Sequence, residues 1–293
     1  MAVRDRGLAR LLAKAPRDIP SGMEVSLRGG PIDPHRREFV EMTHYQSGRA
    51  DEDARAIGGD GAARWDRVLE MHEPLSPPVL RWLLSHPVLG PRVHGKVVDL
   101  GAGTCWTSAL ISKHPAVTEI WAFDLAEGFL LSTGLDTFVR WEGVREKLKF
   151  GVGDFNALPF EPDSFDTAFF IACIHHSVTP YLALTHALRC VRKGGRVFII
   201  EAPWSALKVR TGRAQSLALS RGAATEICYT PGELEYLIER ACLPLDGKSG
   251  RLSRHPFDVH AAGWKWLVRQ GLRRTGLEEL VRPPIRVYEI EVL

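Results

Sequence analysis

The chain has 293 residues and a mass of 32.6 kDa, enough for one large domain or a domain with a cap. At 45% hydrophobic and 25% charged it has the make-up of an ordinary globule, and a net charge of only +3 announces no dominant electrostatic partner. None of the five cysteines is spaced C-x-x-C, which excludes a zinc ribbon or a dithiol redox pair, and no apolar run approaches the roughly 18–20 residues of a membrane helix.

Residues 1–95 read as a helical cap facing the substrate. Residues 1–17 are basic and amphipathic, and are expected to form a surface helix rather than a transit peptide, because Asp5 is present and Ser is absent. Residues 47–63 are polar and Gly-rich, as a loop would be. Val79, Leu80, Leu83 and Leu84 form one helical stripe.

From Lys96 onward apolar strands alternate with helices. Short apolar runs at 97–100, 120–123, 168–174 and 197–200 look like parallel strands buried on both faces, and Leu148, Phe150 and Val152 alternate as a third strand of the series. Between the last two, Leu184, Ala187, Leu188 and Val191 keep helical spacing, with Thr179 as N-cap and Pro180 in the first turn. Thr230-Pro231-Gly232-Glu233 opens a further helix with a capping box. Residues 255–282 look helical, and 285–292 alternate as a closing strand. The expected fold is α/β: a doubly wound, Rossmann-like sheet of seven mixed strands, the last antiparallel, with the N-terminal helical cap. The domain proper would run over 96–293, with insertions at 202–230 and 255–282.

The chemistry sits at the strand ends. Gly101-Ala102-Gly103 follows the first run directly, and glycines there let the backbone approach a ligand that a Cβ would exclude. A dinucleotide fingerprint would place a third glycine three residues on, where Trp106 stands. Asp124 and Leu125 end the second run, about twenty residues past the first glycine, where an acid accepts hydrogen bonds from ribose hydroxyls or caps the next helix. Asp154 and Phe155 follow the third run, as adenine contacts or as a turn residue and a core ring. Leu158-Pro159-Phe160 and Asp163-Ser164-Phe165-Asp166 lead into the fourth, and residues 189–197 turn into the fifth.

Taken together these segments resemble the class I S-adenosylmethionine-dependent methyltransferases, in particular their broad small-molecule branch. The resemblance covers residues 96–201 well and the C-terminal elements more loosely. It implies S-adenosyl-L-methionine as cofactor, with S-adenosyl-L-homocysteine as product. It further implies that Asp99 orients the glycine loop and holds the cofactor's amino group. Gly101, Ala102 and Gly103 would admit the cofactor closely, Asp124 would hold ribose, Asp154 and Phe155 adenine, and Ile171 would line the methionine side. One departure is Cys105, where the family often has another glycine; a side chain there would narrow the pocket.

His175 and His176 lie just past the fourth run. Either could serve as a general base, or both could close the following helix. Tyr45, His72, Glu73 and Tyr229 are further polar candidates. Trp65, Trp82, Trp204, Trp264 and Trp266 would either line an apolar acceptor pocket or belong to the core. No Asn-Pro-Pro-Tyr-like tetrapeptide and no Pro-Cys nucleophile follows the fourth run, and Arg269, Arg273, Arg274, Arg282 and Arg286 fall short of a nucleic-acid stripe.

The expectation is therefore methyl transfer to a hydroxyl, carboxyl, amine or carbon of a small molecule, such as a specialised metabolite. No metal and no membrane span are expected, and the cysteine content suits the cytoplasm. The rivals are a peptide, protein or RNA methyltransferase, a non-catalytic cofactor-binding module, and a nicotinamide-dependent dehydrogenase. Nothing in the sequence sets the oligomeric state.

Overall fold

The computed structural model describes residues 25–29, 76–127, 130–177, 179–202, 204–205, 209, 227, 229–257, 271–275, 277 and 284–293. The surface helix at 1–17, the loop at 47–63, and Tyr45, Trp65, His72, Glu73, Cys228, Trp264, Trp266, Arg269 and Arg282 lie outside these residues.

Eight strands form one sheet. They are β1 (Val25–Arg28), β2 (Gly95–Leu100), β3 (Val117–Asp124), β4 (Leu148–Val152), β5 (Phe165–Ile171), β6 (Val191–Ile200), β7 (Gly250–Phe257) and β8 (Ile285–Val292), in the order β1-β4-β3-β2-β5-β6-β8-β7. The first six run parallel; β8 pairs antiparallel with both β6 and β7. Five main helices accompany them: α1 (Ser76–Ser85), α2 (Trp106–Ser112), α3 (Leu135–Arg140), α4 (Pro180–Cys190) and α5 (Pro231–Ala241).

Successive residues of the central strands feed opposite cores, as a period of two requires. Val98, Ala168, Phe170, Val197 and Ile199 pack with Ala183, Leu184 and Ala187 of α4 and Leu234 and Ile238 of α5. Their neighbours Val97, Phe169, Ile171, Phe198 and Ile200 pack on the other face with Val79, Leu80 and Leu83 of α1 and with Trp106 and Ile111 of α2. Both faces are covered, which is why these strands carry no polar alternation. Phe169 and Phe198 stack at 5.2 Å between centroids across the β5–β6 pair. Trp82 meets Phe257 edge-on at 5.5 Å, so this tryptophan is part of the core layer.

Two expectations change. The sheet has eight strands rather than seven, because Val25–Arg28 adds β1 to the outer edge of β4 within the stretch expected to be helical. The helical pattern expected from 255 begins instead with His255, Pro256 and Phe257 inside β7. Pro256 is tolerated there because β7 is the edge strand of the sheet.

Before β6 settles into pairing, its register with β5 shifts between Phe165 and Thr167, with Gly194 at φ +80° in the shifted stretch. The buried Glu289 of β8 ties this side together: Arg92 donates to both its oxygens at 2.7 Å, Arg196 donates at 3.0 Å, and His255 Nε2 lies 2.8 Å away. Burial would raise its pKa, but the hydrogen bonds and charges of Arg92 and His255 prevail and hold it below the usual glutamate value.

Candidate functional site

From β2 the chain passes to β3 and then β4 on one side of the sheet. From β5 it passes to β6 on the other. The order reverses between β2 and β5, and in open parallel sheets ligands bind outside the carboxyl ends of the strands at such a switch point. The structure brings the sequence candidates to this edge. Asp99 and Gly101–Gly103 lie at the end of β2, Asp124 and Leu125 at the end of β3, and Asp154 and Phe155 after β4. Ile171, His175 and His176 lie at and after the end of β5.

The glycine loop is built by left-handed backbone. Gly101 has φ +74°, Gly103 φ +48° and Cys105 φ +56°. A Cβ on Gly101 would lie 2.7 Å from the Cβ of Cys173, so this glycine lets the two strand-end loops meet. Gly103 is different, since a Cβ there would meet nothing closer than the Gly101 carbonyl oxygen at 4.0 Å. Cys105 occupies a conformation that favours glycine, yet its side chain is fully buried with Ala109, Ala122, Leu130 and Phe138. It is a core residue, and the expected narrowing of the pocket by Cys105 is not what its burial shows. Trp106 is buried at the start of α2, 5.9 Å from the ring of Trp141.

Backbone and carboxylates lock the loop. Gly101 and Ala102 donate their N–H groups to the Phe123 carbonyl at 2.8 and 3.1 Å. Asp124 Oδ2 accepts from the Gly103 N–H at 2.8 Å, and Oδ1 accepts from the Ala126 N–H at 2.9 Å. Asp99 is buried; Oδ2 accepts from the Thr107 hydroxyl and from the Ser108 hydroxyl at 2.6 Å, tying β2 to α2. Burial pushes its pKa up to about 6 against the opposing effect of these hydroxyls.

Asp154 Oδ1 accepts from the Asn156 backbone N–H at 2.8 Å and its amide nitrogen at 2.7 Å. Asn156 Oδ1 in turn accepts from the Ser177 hydroxyl at 2.5 Å and the Thr179 hydroxyl at 3.0 Å. Thr179 does stand at the N-cap position of α4, but its hydroxyl goes to Asn156 and makes no cap bond. Phe155 meets Phe170 edge-on at 5.8 Å.

Three residues escaped the sequence reasoning: Asn156, Cys173 and Glu201. Glu201, at the end of β6, is buried; Oε1 accepts from the backbone N–H groups of Cys173 at 2.9 Å and Ile174 at 2.8 Å, and Oε2 lies 2.8 Å from His175 Nδ1. The signal was present, a carboxylate closing an apolar buried strand beside the switch point. The His175 and His176 rings lie 4.1 Å apart. Cys173 donates its thiol to the Leu100 carbonyl at 2.9 Å. Burial, followed by the charges of Glu201 and Asp99, holds that thiol well above the usual cysteine value.

Comparison with known proteins agrees with this geometry. Residues 98–199 match the family described as "Methyltransferase domain". The chain is 27% identical over 171 residues to the ubiquinone/menaquinone biosynthesis C-methyltransferase UbiE of Dinoroseobacter shibae, covering 55% of this chain and 65% of that protein. It is 32% identical over 115 residues to the demethylmenaquinone methyltransferase of Clavibacter sepedonicus, covering 39% and 42%. Across its curated relatives the chain spans between 30% and 65% of their length. Among solved structures, the complex of the Haloferax volcanii Trm112 methyltransferase activator with a methyltransferase shares the fold. The TM-score is 0.54 at 16% identity, over 83% of this chain and 96% of that one. Residues 98–199 are thus similar to a methyltransferase domain, and these likenesses support a class I S-adenosylmethionine-dependent methyltransferase.

Proposed function

We propose that this chain transfers the methyl group of S-adenosyl-L-methionine to a small molecule in the cytoplasm. The observation that carries the proposal is the placement of Asp124 and the glycine loop side by side at the switch point, with Asp154 and Phe155 one strand further out.

The residues fit an S-adenosyl group. The loop at Gly103 leaves open space where a Cβ would stand, and Asp124 offers a carboxylate at the end of β3, in reach of a ribose. Asp154 and Phe155 supply an acceptor and an aromatic ring for adenine, and Ile171 an apolar wall on the methionine side. Asp99 anchors the start of α2, since its carboxylate is buried against the Thr107 and Ser108 hydroxyls. When bound, the cofactor supplies an already activated methyl group. The protein's task is then to align the acceptor in line with it and to exclude water. The dehydrogenase alternative loses support because Trp106 fills the position of the third dinucleotide glycine.

The small-molecule reading is supported by a modest net charge and by relatives named for methylation in quinone biosynthesis. It is tested by incubating the protein with S-adenosylmethionine carrying a tritiated methyl group and a cell extract. After removal of unreacted S-adenosylmethionine, label in excess of that from extract alone is expected in the low-mass fraction. Label confined to precipitable protein or RNA would overturn the small-molecule assignment.

A further inference from the structure

On one side of the switch point three strand ends stand level. Val152, the last residue of β4, is paired with Arg28 of β1 on one flank and with Asp124 of β3 on the other. β1 and β3 are therefore two strand spacings apart, about 10 Å. Arg28 bridges that gap. Its two terminal nitrogens each donate to one oxygen of Glu127, three residues past Asp124, with Nη2 at 2.5 Å from Oε1. A forked guanidinium–carboxylate pair fixes direction as well as distance. The pair thus ties residues 124–127 to β1 across the carboxyl end of β4, from which Asp154 and Phe155 emerge.

The backbone packs as closely at the same place. The Gly29 N–H donates to the Val152 carbonyl at 2.6 Å, and the Gly153 N–H donates to the Asp124 carbonyl at 3.0 Å. A Cβ on Gly153 would stand 2.9 Å from Phe123 Cζ and 3.3 Å from Gly29 Cα, so no side chain fits between the three strand ends. Asp124 in turn accepts from the Gly103 and Ala126 N–H groups, so the segment held by Arg28 and the glycine loop are set in place together. β1 lies wholly outside residues 98–199, the part of the chain that matches a methyltransferase domain.

We propose that Arg28 and Glu127 are positioning residues for the cofactor: the pair holds the segment that carries Asp124, so that docking of β1 and binding of the S-adenosyl group strengthen each other. The proposal rests on the methyltransferase reading above and deepens it. The side chains of Arg28 and Glu127 keep 59% and 38% exposure, and a pair so exposed contributes little to global stability. Its effect is local. Without it residues 124–127 lose their outer hold, while their bonds to Gly103 and within the segment remain. Linkage makes the effect reciprocal: a ligand that prefers the held segment must also tighten β1 on β4.

The test is a double-mutant cycle read by titration of S-adenosylhomocysteine, with amide hydrogen exchange over residues 25–29 as a second readout. Arg28→Ala and Glu127→Ala are each expected to weaken binding about fivefold or more, and the double variant no further than either alone. Thermal midpoints of all three variants are expected within about 2 °C of the wild type. In the wild type S-adenosylhomocysteine is expected to slow exchange over residues 25–29, and in Arg28→Ala this slowing is expected to be lost. Wild-type affinity in the single variants would overturn the proposal, as would additive losses in the double variant or exchange at 25–29 that ignores the ligand in the wild type. A loss of affinity that merely follows a lowered thermal midpoint would overturn it too, since that is the mark of a structural role alone. The two readings fail differently. No binding of S-adenosylhomocysteine by the wild type would remove the methyltransferase reading and this proposal with it, whereas binding by the wild type with indifferent variants would remove this proposal alone.

Discussion

Asp99 is a buried carboxylate whose ionisation costs stability. Its pKa of about 6 in the folded protein lies above the roughly 3.9 of an unfolded aspartate. Between those values the native state holds a proton that the unfolded state has lost, so stability falls as pH rises from about 4 to about 6. Asn in its place stays neutral and can still accept from Thr107 and Ser108. Asp99→Asn is therefore expected to be about 1–3 kcal/mol more stable than the wild type at pH 7.5, with the gain vanishing near pH 4. Urea denaturation at both pH values checks this; equal stability at pH 7.5 would contradict it. At this scale the sequence was legible wherever a motif names its own residue. Asp99, Gly101, Gly103, Asp124, Asp154 and Phe155 all lie on the predicted edge. It did not reach the partners of Glu201, 26–28 residues away, or the Ser177 and Thr179 hydroxyls that meet Asn156 from 21 and 23 residues away, because these become neighbours only when strands align. The direction of the Cys105 side chain was equally hidden, because a left-handed backbone turns it inward to the core.

Among the elements, α5 was the most fully readable. Thr230 accepts from the Glu233 N–H at 3.3 Å and Glu233 accepts from the Thr230 N–H at 2.9 Å, the reciprocal pair that the four-residue signature announces. The helix then buries Leu234, Ile238 and Ala241 against the sheet. Thr230→Ala is expected to cost about 1 kcal/mol, seen as a lower urea midpoint with an unchanged slope; no loss would mean that the box is idle. Thr179 shows the limit of the same logic. Its N-cap position follows from Pro180, but its hydroxyl is drawn away by Asn156, a long-range partner that no local signature contains. Lys248 is another such case. From the turn before β7 it donates to the carbonyls of Arg189 at 2.8 Å and Val191 at 2.7 Å, closing the C-terminal end of α4 across the fold.

For the molecule as a whole, the parallel core was legible because strands buried on both faces leave a continuous apolar trace. The edges were not. β1 has only four residues and half-exposed sides, so it carries no such trace. It is held from outside by the Gly29 N–H donating to the Val152 carbonyl at 2.6 Å and by the pairing of Arg28 with Glu127, in the loop that follows Asp124. β7 contains a proline and alternates weakly, and owes its place to pairing with β8 along its full length.

These edges enclose one functional claim, that the switch point between β2 and β5 is built for an S-adenosyl group. Isothermal titration of S-adenosylhomocysteine into the protein tests it most directly, with NAD and the Asp124→Ala variant as controls. Saturable binding of S-adenosylhomocysteine is predicted, weakened at least tenfold by Asp124→Ala, with no binding of NAD. Binding of NAD without S-adenosylhomocysteine, or no heat from S-adenosylhomocysteine at all, would contradict the account.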